Sequence, residues 1–189
     1  MTAMLDVTQL SPEQRRPITR VEFQAMGEAG LFERERVELL EGVIVRVSPA
    51  SAPHEDCIER LSELLVPRLV GRARVRINLA YAASEYSEPV PDVAIVARDE
   101  PRGDHPAHAL LLIEVSLSSL RFDRKHKARI YAQNAVPEYW VVDVEGRRVE
   151  VLSQPTADGY QSSAVYARGE QLSVPGFPDV ALSVDSLFE

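Results

Sequence analysis

The sequence predicts an α/β protein of the α+β kind: a central mixed β-sheet flanked by helices, with extra β-hairpins. Three observations carry this. Two short apolar runs, residues 91–96 and 109–115, have the length of buried strands. Residues 54–69 place Ile58, Leu61, Leu64, Leu65 and Leu69 at helical spacing, and 123–134 reads as a second long helix. Acid-Gly and Pro-Gly pairs punctuate the remainder as hairpin turns. The resulting order of helix, hairpin, helix, strands, helix, strands describes a mixed sheet with helices packed on it.

Each element has a local reason. Residues 1–17 read as a flexible leader ending in Pro17, and 18–189 as a single domain. Thr19 is an N-cap for a helix to about residue 29, Glu22 completes a capping box, and Gly30 ends the helix. Strands 37–40 and 43–47 pair across Glu41-Gly42. A Ser/Pro/Ala loop over 48–53 precedes the 54–69 helix, whose last turn holds Pro67. Residues 74–82 alternate as a strand, and Pro91 opens the next one, a tolerated place for proline. A polar loop over 98–108 leads into 109–115, the most apolar segment and the expected central strand. Ala135-Val136-Pro137 closes the second long helix. Strand 138–144 turns at Glu145-Gly146 into strand 148–152, and Asp158-Gly159 and Pro175-Gly176 mark further hairpins.

Composition narrows the function. A chain of 189 residues with 45% apolar content suits one domain with a real core. The lone Cys57 excludes an intramolecular disulfide framework and reads as a small buried hydrophobe. No apolar h-region opens the chain, and no run reaches the roughly 18 apolar residues of a membrane span, so a soluble, cytoplasmic protein with no membrane partner is expected. The net charge of -8 argues against strong non-specific binding to nucleic acid. Two local basic groups remain. Arg72, Arg74 and Arg76 alternate along a strand, either as a solvated face or as a phosphate-binding one. Arg121, Arg124, Lys125, Lys127 and Arg129 crowd one helix, where phosphate contact is favoured.

The chemistry lies in two acids and a lysine. Asp92 and Glu114 sit in or beside apolar strands, a costly place for unpaired carboxylates. Together they suit a hard divalent ion, Mg²⁺ or Mn²⁺, with the carbonyl of Val115 as a third ligand. Lys127 would orient an attacking water and contact a phosphate as a point charge. A plainer account also exists: Asp123 and Lys127, four residues apart, would make a helix ion pair of about 0.2–0.5 kcal/mol. His54 opens its helix as a phosphate contact or a capping residue, His105 and His108 lack metal-ligand partners, and Tyr139 and Trp140 read as core aromatics.

The ordered set Glu38-Leu39-Leu40-Glu41-Gly42, Ser48-Pro49 with His54, Pro91-Asp92-Val93, Ile113-Glu114-Val115-Ser116, Asp123 through Lys127 with Tyr131-Ala132, and Val136-Pro137-Glu138-Tyr139-Trp140-Val141-Val142-Asp143 resembles the Uma-type restriction endonucleases of the PD-(D/E)XK nuclease superfamily. The resemblance implies a restriction-endonuclease-like core and a metal-dependent endonuclease acting on DNA. It makes Asp92 and Glu114 the metal-binding acids and adds Glu38 from the N-terminal part of the fold. The superfamily lysine usually stands two residues after the second acid, where this chain has Ser116; the Uma-type pattern moves it to the following helix, at Lys127. Val43 stands where the family often has Glu, and Glu41 where it has Asp. A homodimer is the expected assembly, from the superfamily's habit and from base rate. The competing reading is a catalytically inactive nuclease fold that binds nucleic acid or regulates; a non-nucleolytic metal hydrolase has no motif of its own.

Overall fold

The computed structural model describes residues 11–49 and 51–189, so the first ten residues of the expected leader lie outside the described residues. Six strands form the central sheet in the order β3-β4-β5-β6-β7-β8: β3 Ala73–Ile77, β4 Val93–Ala97, β5 Leu111–Ser116, β6 Glu138–Asp143, β7 Arg148–Thr156 and β8 Gly159–Tyr166. The β5–β6 pair is parallel and every other pair antiparallel, which makes the sheet mixed as expected. The parallel pair is the one whose connection contains a helix, as a crossover requires. Two hairpins stand apart from it: β1 Val37–Leu40 with β2 Val43–Arg46, and β9 Gln171–Val174 with β10 Phe177–Ser183.

Strand alternation divides the core into two faces. Leu111, Ile113 and Val115 of β5 join Trp140 and Val142 of β6 on one face. Helix α2, Ala52–Leu69, covers that face with Ile58, Leu61, Leu65 and Leu69, the stripe read from the sequence, and the β9–β10 hairpin completes the cover. Cys57 is buried there, and burial pushes its thiol up to about 12, which fits a structural role. On the opposite face Leu112 meets Tyr139 and Val141, under a helix containing Ile130 and Tyr131.

That second helix is not uniform. Its first turn is α3, Leu120–Phe122, and its last part α4, Ala128–Gln133. Between them Asp123–Lys127 forms a π turn, closed by the Ala128 N–H bonding back to the Asp123 carbonyl. The first helix, α1 over Arg20–Glu28, begins with the Thr19/Glu22 capping box. At the β1–β2 turn Glu41 and Gly42 both have positive φ, 50° and 77°, as a type I′ turn needs, and a Cβ at 42 would collide with Pro17.

Three expectations need correction. The strand expected over 74–82 stops at Ile77, because Asn78 takes a left-handed φ of 49° and turns the chain out of the sheet. Strand 148–152 continues to Thr156, paired with β8 beyond the end of β6. The three alternating arginines do not form one phosphate-binding face. Arg72 precedes β3 and pairs with Asp179 at 2.7 Å, while Arg74 and Arg76 donate to the carbonyls of Glu100 and Ala80.

Candidate active site

Asp92, Glu114, Lys127 and Glu38 arrive from four different parts of the chain and meet on the face of the sheet opposite α2. Glu114 is an even position of β5, so it shares the face of Leu112 and Tyr131. Asp92 immediately precedes β4, where the antiparallel register Val93↔Ile113 sets it beside Glu114. Its Oδ2 accepts the Val115 N–H at 2.7 Å, so Asp92 caps the edge of β5 just before β4 begins. The N–H and C=O of one strand residue point the same way, so the Val115 carbonyl also opens toward Asp92. Glu38 comes from β1, which is held against the fold by the Leu39↔Glu88 bridge.

Lys127 binds this group together. Its Nζ lies 2.9 Å from Glu114 Oε1 and 3.2 Å from Glu38 Oε1. Lys125, by contrast, is exposed. The helix ion pair with Asp123 does not form. Asp123 is buried and accepts the hydroxyls of Ser116 at 2.7 Å and Ser119 at 2.5 Å. Ser116, at the usual lysine position, thus anchors the helix that carries the lysine. The remaining basic residues of that helix divide: Arg124 pairs with Glu150 at 2.6 Å and Arg129 with Glu41 at 2.5 Å, while Arg121 is exposed.

Two neighbours matter that the sequence left open, Tyr131 with no role and His54 with two. Tyr131 donates its hydroxyl to Glu114 Oε1 at 2.6 Å, fixing that carboxylate from one side. Only its helical position, four after Lys127, signals this. His54 Nε2 lies 3.3 Å from Asp92 Oδ2, and its Nδ1 is buried with no partner among the described residues. His54 is therefore a wall of the site rather than an external cap. His105 and His108 lie instead beside Glu88 and Glu100.

The electrostatics follow from burial. Glu38, Asp92, Glu114 and Asp123 are at most 8% exposed, and Lys127 is 7% exposed. Burial raises the Glu114 carboxyl well above its ordinary range; Lys127 opposes this, and the neighbouring acids add to it. Burial works against the Lys127 ammonium too, but Glu114 and Glu38 outweigh it and hold the lysine charged. The hydrogen bond to Asp92 raises His54 against the effect of burial. Four buried carboxyl groups face one buried ammonium, a surplus of acid whose ionised form a divalent cation would favour.

The donor set fits a hard ion on chemical grounds. Among the described residues no three carboxylate, histidine or cysteine side chains converge as a ready cage. Two carboxylates and a backbone carbonyl, with water and phosphate oxygens for the rest, match the way Mg²⁺ is usually held. All these groups line a cleft of about 390 Å³, lined also by Arg36, Ser118 and Phe122.

The Uma2 family model, described as "Putative restriction endonuclease", matches residues 21–185. The chain belongs to the Uma2 family. A solved structure from Anabaena variabilis, described as a putative nuclease of the DUF820 group, superposes on this Uma2 protein with a TM-score of 0.69. It shares 19% sequence identity, and the match covers 91% of this chain and 98% of that one. At that identity the likeness establishes that the two chains share a fold. No protein with a curated description matches the sequence. Among the described residues of this Uma2 protein, no helix is long and apolar enough to cross a membrane.

Proposed function

We propose that this chain is a Mg²⁺- or Mn²⁺-dependent endodeoxyribonuclease. The observation that carries the reading is the Glu114–Lys127 contact of 2.9 Å, beside Asp92 and inside one cleft. It brings the migrated lysine to the acid that the resemblance pairs it with. Asp92, Glu114 and the Val115 carbonyl would hold the ion. When bound, the ion supplies Lewis acidity and a water of lowered pKa.

The chain's own groups divide the remaining work. Asp92 is held in place by the Val115 N–H, and Glu114 by Tyr131 and Lys127, which leaves the other oxygen of each carboxylate for the cleft. Lys127 stays charged through neutral pH and presents an N–H to a phosphate oxygen or an attacking water. Glu38 anchors that ammonium from the far side, itself steadied by the Val90 N–H at 3.2 Å. We further propose a single domain over 18–189 working in the cytoplasm as a homodimer, so light scattering should show about twice 21.0 kDa.

Calorimetric titration with Mn²⁺ and a plasmid cleavage assay test the reading together. Wild type should bind the ion and cut DNA, EDTA should stop the cutting, and Asp92→Ala should remove the binding heat. Metal binding and DNA binding without cleavage would support the inactive-fold alternative instead.

A further inference from the structure

The cleft over the acids does not end at Glu38. A second and larger cavity, of about 810 Å³, begins on its other side. Arg36, Glu38, Val47 and Val90 line both, so the two form one path past the site. The floor of the second cavity is aromatic: Phe23 and Phe32 stand with ring centroids 5.3 Å apart. Gln24 and Asn78 add polar groups beside them.

The charges along this path are unequal. Arg36 lies where the cavities meet, is exposed, and makes no ion pair among the described residues. Glu28, Glu35, Glu88 and Asp104 also line the larger cavity, Glu35 paired with Arg46 and both Glu88 and Asp104 with Arg20. Carboxylates repel phosphate but accept hydrogen bonds from base amino groups. The path therefore has a place for a phosphate, beside Arg36 and Lys127, and a separate place for an unstacked base. Its wall is firm, because Leu39 is fully buried and the β1–β2 hairpin bonds to the 86–88 segment at 2.7 Å twice. A duplex is stiff over about 150 base pairs and keeps its bases stacked inside. It cannot place a base in a pocket without extruding it. A single strand can, and aromatic platforms are its usual support.

We propose that the substrate is single-stranded DNA, threaded with a phosphate over Asp92 and Glu114 at Arg36 and a neighbouring base against Phe23 and Phe32. This rests on the nuclease reading and adds a nucleobase subsite to it. The test is fluorescence anisotropy of the full chain in EDTA, with one labelled oligonucleotide presented alone and as a blunt duplex. The single strand should bind about tenfold tighter than the duplex. Phe23→Ala should weaken single-strand binding by about tenfold, and Arg36→Ala should weaken it while flattening its salt dependence. Phe23 is half-buried against Phe32, so calorimetry must show that Phe23→Ala is folded at the assay temperature before its affinity is read. Equal or tighter duplex binding, no binding of either, or an unchanged Phe23→Ala affinity overturns the proposal. A cleavage arm with Mn²⁺ separates the two readings. Single-strand binding without cutting defeats the nuclease reading alone, and cutting confined to duplex defeats the single-strand proposal alone.

Discussion

The two faces of β5 are built for opposite purposes. Ile113 and Val115 point into an apolar layer closed by α2 and the β9–β10 hairpin. Leu112, Glu114 and Ser116 point the other way, into a layer where buried carboxylates, an ammonium and phenols meet among aliphatic groups. One strand serves both because its side chains alternate. The dry face supplies the stability that lets the charged face be held at a cost. Burying an excess of like charge is unfavourable, and removing one partner of a buried pair costs about 3–5 kcal/mol.

The largest effects should come from the charged face and appear as lost chemistry. Glu114→Gln and Lys127→Met should each lower cleavage by about a thousandfold or more. Lys127→Met should keep metal binding in calorimetry, while Lys125→Met should mainly weaken DNA binding. Full activity of Lys127→Met would end the migrated-lysine assignment.

Next comes the dry face, where Ile113→Ala should cost about 2–5 kcal/mol of unfolding free energy. Denaturant titration measures that loss. Mn²⁺ affinity of the folded variant should match wild type, and a changed affinity would mean the two faces are not separable.

A smaller loss is expected at Tyr131. Tyr131→Phe removes the hydroxyl 2.6 Å from Glu114 and should lower metal affinity or activity by about 10–100-fold with the fold retained. An unchanged ion titration would show that Lys127 alone holds the carboxylate.

The gentlest test is pH. Burial raises the Glu114 pKa, so the metal-free folded protein keeps a proton that the unfolded chain has released. That contribution to stability is fully present below the unfolded carboxylate range, near about 4.3, and is lost as pH rises toward the folded value. His54 is raised as well, so its contribution fades in the same direction above about 6.5. The unfolding temperature in EDTA should therefore fall from acidic to neutral pH, with a shallower slope in Glu114→Gln. A rising profile would contradict the raised carboxyl.

Much of the fold was legible because its signals are local. The Thr19/Glu22 box, the Glu41-Gly42 turn and the α2 stripe involve residues close in sequence. Asp92 and Glu114 were legible because an acid in an apolar run is conspicuous. Other features depend on distant partners. The Lys127–Glu38 contact spans 89 positions, and nothing near either residue signals it. Arg74 and Arg76 looked free because alternation shows a face but not the carbonyls waiting there. The helix read over 123–134 also gave no sign that Asp123–Lys127 is wound as a π turn.

That π turn carries a consequence for how the chain tolerates length change. It holds one more residue than an α turn, the signature of an insertion absorbed without breaking the helix. Asp123 ties its front end to the sheet through Ser116, and Tyr131 ties the α4 segment behind it through Glu114. Deleting one residue between them would let the backbone relax to ordinary α winding. Because the π turn absorbs its extra residue by turning less per residue, the two anchors would keep nearly their present phase. Plain α winding at the present length would instead swing the phenol about 100° from the carboxylate that Asp123's end of the helix faces, so the π turn is what keeps both ends registered on the sheet at this chain length.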